Sequence, residues 1–242
     1  IRFIGKVCCL NSKPYKETMI PHIIHYCWFG GKPLPKLAKK CLASWQHYFP
    51  GWEIREWSER NFDVHCHPYA ELAYNEKRWA YLSDIVRLIV VEKYGGIYFD
   101  TDVEVVRYPQ ELIESYQAWF GFELAEYVNT GLGFGAIPHH PAVQAMVHKY
   151  DNLHTIVGCP QLNTEALVEK GLVCNGKKQQ VAEAIVLPID YLCPLNDATG
   201  ILNKSTNTVS IHWFAKSPHG KIAFYRSKLT RIYHRICLRF RV

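Results

Sequence analysis

Two adjoining runs decide how this chain folds: Trp79-Ala80-Tyr81-Leu82-Ser83-Asp84-Ile85-Val86-Arg87, continuing to Tyr94, and directly after it Gly95-Gly96-Ile97-Tyr98-Phe99-Asp100-Thr101-Asp102. In the first, Leu82, Ile85, Val86, Ile89 and Val90 recur at spacings of three and four and mark one buried helix face over 79–94. Gly95-Gly96 ends that helix in the usual C-terminal manner. Ile97 to Phe99 then reads as a short buried strand, and Asp100 and Asp102 stand at its end.

In an extended backbone, side chains at i and i+2 leave on the same face, so the two carboxylates converge. Mg2+ or Mn2+ is typically held by one or two protein carboxylates together with substrate phosphate oxygens, and the triplet suits a metal-bridged diphosphate. Alone, an Asp-x-Asp triplet is more often a solvated strand end. Asp84 and Arg87, three apart, are neighbours on the helix. They form either an intrahelical ion pair worth a few tenths of a kcal/mol or a pair of ligands, Asp84 for sugar hydroxyls and Arg87 for phosphate.

Working outward, Ile20 to Phe29 is rich in β-branched and aromatic residues and ends at Gly30-Gly31, a buried strand that delivers Trp28 to its end. Lys36 to Tyr48 has helical periodicity stopped by Pro50-Gly51, and Trp52 to Trp57 reads as a second strand. Weaker segments follow: a strand near 131–136, helices over 141–150 and 163–170, and a strand over 208–214. Strands alternating with such helices predict a mostly parallel α/β sheet covered on both faces, with ligands bound beyond the strands' carboxyl ends.

Composition narrows the class. The chain has 242 residues, 48% hydrophobic and 21% charged, which suits one folded α/β core and excludes disordered, collagenous and coiled-coil classes. The longest uncharged stretch, 127–148, carries Pro138 and Pro141 and does not read as a membrane span. Residues 1–18 lack a signal-peptide core, and Met19 reads as a natural start, which makes 1–18 an N-terminal extension. The nine cysteines form no CxxC pair and read as free thiols of a cytoplasmic protein. His65-Cys66-His67 does not read as a zinc site, because adjacent ligands do not converge on one tetrahedral centre.

Net charge is +6, but seven of the 28 Lys and Arg lie in 221–242 with no acid among them, leaving 21 bases against 22 acids elsewhere. A near-neutral body argues against a nucleic-acid partner. In 218–242, Ile222, Tyr225, Leu229, Ile232, Ile236 and Phe240 make an apolar stripe among basic residues. Two readings stay open: a helix peripheral to an anionic inner-membrane face, or a terminal helix docked on the domain.

The runs 79–87 and 94–102 together resemble the DXD core of family 32 glycosyltransferases, a group that includes bacterial capsule-synthesis transferases and yeast Och-type mannosyltransferases and is related to clostridial glucosylating toxins. Ile20-Pro21-His22-Ile23-Ile24-His25-Tyr26-Cys27-Trp28-Phe29-Gly30-Gly31 looks like that family's first strand. The resemblance covers 19–217 and implies a GT-A-type, Rossmann-like single domain. It further implies a metal-dependent, retaining transferase that moves a hexose from a nucleotide diphosphate sugar, a UDP-sugar first, to an oligosaccharide or lipid-linked saccharide acceptor, as in surface polysaccharide synthesis.

By the same resemblance, Trp28 stacks on the base, Asp84 and Arg87 hold the sugar and its phosphate, and Tyr98 lines the nucleotide site. Asp100 meets ribose, sugar and the metal's water shell, and Asp102 meets the metal. Asn129, in Asn129-Thr130-Gly131, resembles an asparagine near the donor sugar, and also reads as an ordinary turn residue. Asn61 corresponds to a nucleotide-contacting asparagine. In Ile211-His212-Trp213-Phe214-Ala215-Lys216-Ser217, His212 or Ser217 completes the metal shell, although the family's closing Gly-Ser-Trp is here Lys216-Ser217-Pro218. His212 also reads as a core histidine. Two other classes stay open on the residues alone: a glycoside hydrolase with a carboxylate pair, and a non-catalytic nucleotide-sugar or glycan-binding module.

Overall fold

The computed structural model describes residues 19–215. The N-terminal extension 1–18, Ser217 and the basic stripe of 218–242 lie outside the described residues, and so does the anionic-surface expectation that rests on that stripe. In chain order the strands are β1 (Ile23–Cys27), β2 (Glu53–Trp57), β3 (Gly96–Tyr98), β4 (Val103–Val105), β5 (Ala118–Leu124), β6 (Tyr127–Val128), β7 (Phe134–Ala136), β8 (Gln179–Val181), β9 (Ala184–Leu187) and β10 (Ser210–His212). The helices are α1 (Lys36–Tyr48), α2 (Pro68–Asn75), α3 (Trp79–Tyr94), α4 (Gln110–Glu114), α5 (Pro141–His148), α6 (Cys159–Val168) and α7 (Ile189–Leu192). No helix among the described residues is long and apolar enough to cross a membrane.

The central sheet has the order β2-β1-β3-β7-β5-β9-β8, with β6 paired to β5. β1 runs parallel to both β2 and β3, and β5 parallel to β9, while β7 is antiparallel to both β3 and β5. The strands β1, β2, β3, β5 and β9 therefore share one direction, and β7 opposes them from the middle. After β1 the chain crosses to β2 on one side and then to β3 on the other, a switch point that opens a crevice at the carboxyl ends of β1 and β3.

Alternation along the strands feeds two cores. Ile24, Ile97 and Phe99 pack with Trp45 and Phe49 of the α1 side. Cys27, Tyr98, Phe120 and Phe134 pack with Leu82, Val86 and Met146 on the α3 and α5 side. Trp45 is fully buried and donates its indole N–H to Val103 O at 2.8 Å, which fixes β4 to α1 immediately after the acidic triplet. Truncation of such a side chain costs about 3–5 kcal/mol.

Helices 36–48 and 79–94 stand where periodicity predicts them. The first strand is shorter than its apolar run, because Ile23 pairs with Glu53 only after the Pro21 turn. β5, the seven-residue strand at the sheet centre, carries no alternation to mark it in the sequence, because Ala118 to Phe122 is buried on both faces. His67 caps α2, its Nδ1 accepting from Tyr69 N–H at 3.1 Å, with its Nε2 3.3 Å from Asp151, which accounts for it without a metal.

His25 is the buried link between β1 and the end of α3. Its Nδ1 accepts from Trp57 Nε1 at 3.0 Å and its Nε2 donates to Gly95 O at 2.8 Å, an arrangement that only the neutral ring satisfies. Burial lowers its pKa from 6.5 to about 4. The unfolded chain binds this proton more readily than the folded one, so the contribution is complete above pH 6.5 and lost as pH falls towards about 4. The total is on the order of 3 kcal/mol. Equilibrium unfolding of the wild type and His25→Gln across that window checks it: the wild type loses stability more steeply. Equal slopes would show that the ring carries no such linkage.

Candidate functional site

The triplet does not lie in extended backbone. Asp100 follows β3, Thr101 and Asp102 form a turn closed by Val103 N–H to Asp100 O at 3.0 Å, and β4 leaves from that turn. Convergence of the two carboxylates comes from this turn and from what packs on it, not from strand alternation.

β10 lies antiparallel to β4 with His212 opposite Val103, and this pairing carries the imidazole to the triplet. His212 Nε2 is 3.2 Å from Asp102 Oδ1. The other carboxylate oxygen, Oδ2, accepts Ala215 N–H at 2.7 Å, and Asp102 O accepts Trp213 N–H at 3.0 Å. Glu104 on β4 accepts from the Trp213 indole at 2.9 Å and pairs with Lys40 of α1 at 2.7 Å, so the end of β10 is fastened from both sides. Asp100, Asp102 and His212 each offer one ligand atom, all within 4.8 Å of one another.

A divalent cation fits this group. Two carboxylate oxygens and an imidazole nitrogen form a donor set suited to Mn2+ or Mg2+. His212 Nδ1 is buried without a hydrogen-bond partner, which leaves one ring nitrogen unaccounted for among the described residues.

Beneath the turn lies Arg87, 3% exposed. Its Nη2 is 2.9 Å from Asp84 Oδ1 and 3.0 Å from Asp100 Oδ1, its Nε donates to Ser83 O at 3.1 Å, and its guanidinium lies 5.0 Å from the Tyr98 ring centroid. Asp84 and Arg87 thus do make the intrahelical pair, but in the interior and shared with the triplet. Tyr98 is buried and donates its hydroxyl to Asp100 Oδ1 at 2.8 Å, so it supports Asp100 from below and presents no ring to the surface.

The charges respond to this crowding. Burial pushes the Asp84 carboxyl up to about 6 against the pull of Arg87. Burial also raises Asp100, assisted by the neighbouring Asp102 charge and opposed by Arg87. At Asp102 burial is outweighed by His212 and the Ala215 N–H, and its carboxyl lies below the usual range. His212 is correspondingly raised: its burial is overcome by Asp102.

Asn129 joins from the far side of β3. β7 begins level with the end of β3, so the segment leading into it crosses the same edge. Asn129 Oδ1 caps the 3-10 turn at Gly131 N–H, 2.7 Å, and accepts from Cys159 Sγ at 3.4 Å, while its Nδ2 donates to Glu123 Oε2 at 2.6 Å. Gly131 was not among the expected site residues. A Cβ there would stand 2.6 Å from Asp100 Oδ2 and 2.9 Å from Arg87 Nη1, so only glycine lets this turn close on the acidic pair. The signal was present in Asn-Thr-Gly, but it reads as a generic turn. Glu123 and Cys159 carried no sequence signal.

Trp28, half-buried, follows β1 and donates its indole N–H to Lys32 O. Asn61 makes its bonds within its own turn: its Oδ1 accepts Ser58 N–H at 2.9 Å and its Nδ2 donates to Glu56 O at 2.7 Å. That turn meets the loop after β1, where Gly30 N–H donates to Glu59 at 2.6 Å, rather than the acidic cluster.

Residues 35–119 match the family described as glycosyltransferase sugar-binding region containing DXD motif. The span holds Asp84, Arg87, Asp100 and Asp102, and stops short of Asn129 and His212. Alpha-1,4-N-acetylglucosaminyltransferase of Homo sapiens is 43% identical over 126 residues, which cover 49% of this chain and 34% of that protein. The chain thus spans about a third of the length of this curated relative. Two solved structures overlap with it. The PaToxG glycosyltransferase does so at TM-score 0.49 and 18% identity, covering 64% of this chain and 70% of that one. A glycosyltransferase involved in the glycosylation of the major capsid of PBCV-1 does so at TM-score 0.49 and 12% identity, covering 87% and 99%.

Proposed function

We propose that this chain is a metal-dependent glycosyltransferase that moves a hexose from a nucleotide diphosphate sugar to a saccharide hydroxyl, free or lipid-linked. The observation that carries the reading is the Asp100, Asp102 and His212 group, with ligand atoms within 4.8 Å, at the edge of a matched DXD region. Asp102 and His212 hold the cation with Asp100, and a Mn2+ or Mg2+ bound there supplies Lewis-acid neutralisation of the leaving diphosphate.

The chain's own residues do the rest. Arg87 binds Asp84 and Asp100 together and so orients the Asp100 carboxylate at the edge of the site. Trp28, half-buried at the end of β1, offers an indole to the nucleotide base. Asn129 reaches the donor sugar from the β7 side. Transfer with retention suits the site, because Asp84 and Asp100 are both bound by Arg87 and neither stands free as a covalent nucleophile. The sugar–phosphate bond breaks, the acceptor oxygen bonds to the same face of the anomeric carbon, and its proton passes to the departing diphosphate.

A UDP-sugar is the first donor, and the relative's name puts N-acetylglucosamine at the head of the sugars to be tried on it; GDP-mannose is second. Thermal shift with UDP-N-acetylglucosamine, UDP-glucose, UDP-galactose and GDP-mannose, each with Mn2+, Mg2+ or chelator, tests the reading. A donor at a hundred times its dissociation constant adds about 2.7 kcal/mol to stability. One nucleotide sugar is expected to raise the melting temperature only with metal; no shift with any of them would overturn the proposal.

A further inference from the structure

The β5–β6 ladder is irregular at one point. Phe122 pairs with Val128 and Leu124 with Tyr127, so Glu123 is an extra residue on a bulge. A bulge leaves its residue out of the ladder and re-aims the side chain, and such devices gather beside active sites. Here the re-aimed carboxylate meets Asn129 through Oε2, while among the described residues its Oε1 has no hydrogen-bond partner. Next to it, the cross-strand neighbours Leu124 and Tyr127 are 50% and 44% exposed, an apolar and aromatic rim on the same hairpin. A carboxylate for hydroxyls beside an aromatic and aliphatic surface for the C–H face of a ring is the chemistry that recognises a saccharide.

We propose that Glu123, Leu124 and Tyr127 form the acceptor-saccharide subsite, with Glu123 Oε1 accepting a hydrogen bond from an acceptor hydroxyl and the hairpin rim receiving the sugar ring. The inference rests on the transferase reading and deepens it. Through Asn129, Glu123 also joins the acceptor position to the donor side, since Asn129 and Gly131 lead directly to Asp100.

The experiment separates the two readings by order of addition. UDP-N-acetylglucosamine, UDP-glucose, UDP-galactose and GDP-mannose are each added first with Mn2+ and the thermal shift recorded, and then, with the donor that shifts, a panel of p-nitrophenyl α- and β-hexosides is offered as acceptors. Glu123→Gln keeps an oxygen for Asn129 but loses the charge, and Tyr127→Ala removes the ring. Both are expected to retain the donor shift and to raise the glycoside KM about tenfold or more. Glycoside KM within twofold of the wild type in both variants, a parallel loss of the donor shift, or a wild type that binds donor and transfers to no hexoside would overturn the subsite. A wild type without any donor shift would overturn the transferase reading before an acceptor is present.

Discussion

Asp102→Asn is expected to abolish transfer and metal-dependent donor binding while the protein still folds. Asparagine matches the shape of aspartate and still offers one oxygen to the Ala215 N–H, now 2.7 Å from Oδ2. What it removes is the charge opposite His212, whose Nε2 stands 3.2 Å from Oδ1, and one of the two anionic oxygens of the group. A site that stabilises developing charge through a preorganised ion loses about 10²–10³ in rate when one such element is removed. The fold rests on Trp45, Phe99 and Val103, which this substitution leaves untouched. Product release from a nucleotide sugar, with circular dichroism as the folding control, is the measurement. Wild-type turnover in Asp102→Asn, or undiminished wild-type turnover in excess chelator, would refute a metal-assisted site.

The parts legible in the sequence were those in which one local pattern sets the structure. Helix 79–94 was readable because its apolar face, its glycine pair and the strand after it lie in a single run, and the same run delivers Asp84, Arg87, Asp100 and Asp102. Position along the chain identified these residues; their mutual geometry was not encoded there. An i and i+2 spacing suggested strand alternation, but the turn over 100–103 and the pairing of β10 with β4 bring the carboxylates and His212 together. Arg87 reads either as an intrahelical partner of Asp84 or as a phosphate ligand, and only the packing of α3 under the β3 edge places it in the interior between two acids.

The residues that escaped are those whose role is negative or irregular. Gly131 matters for the Cβ it lacks, and that is visible only once Asp100 stands beside it. Glu123 is aimed by a bulge, and a one-residue slip in a two-strand ladder leaves no periodicity to detect. Asn61 shows the converse: its spacing is suggestive, and its side chain bonds the backbone of its own turn.

Arg87 is where stability and chemistry meet, and two substitutions there are expected to separate them. In Arg87→Lys the positive charge remains, but an ammonium on a flexible stem does not reproduce a fork that serves Asp84, Asp100 and Ser83 O together. Asp100 then loses its fixed orientation, and transfer is expected to fall about a hundredfold or more while the fold persists. Arg87→Ala leaves the buried Asp84 and the half-buried Asp100 without their shared cation and is expected to lose about 3–5 kcal/mol at neutral pH. That deficit carries a pH signature. Burial already holds Asp84 up at about 6, and removing the guanidinium raises it further, above the ordinary carboxylate value of 3.8. A carboxyl raised in the folded state contributes stability below its unfolded value and loses it as pH rises through the folded value. The gap between Arg87→Ala and wild type therefore narrows from pH 7 towards pH 5, and the His25 contribution, common to both proteins, cancels in the difference. Denaturant unfolding of the two proteins at both pH values, with transfer kinetics for Arg87→Lys, decides the matter. Wild-type kinetics in the lysine variant would mean that Arg87 does not orient Asp100 for transfer, and an alanine deficit that grows as pH falls would mean that it does not compensate the Asp84 charge.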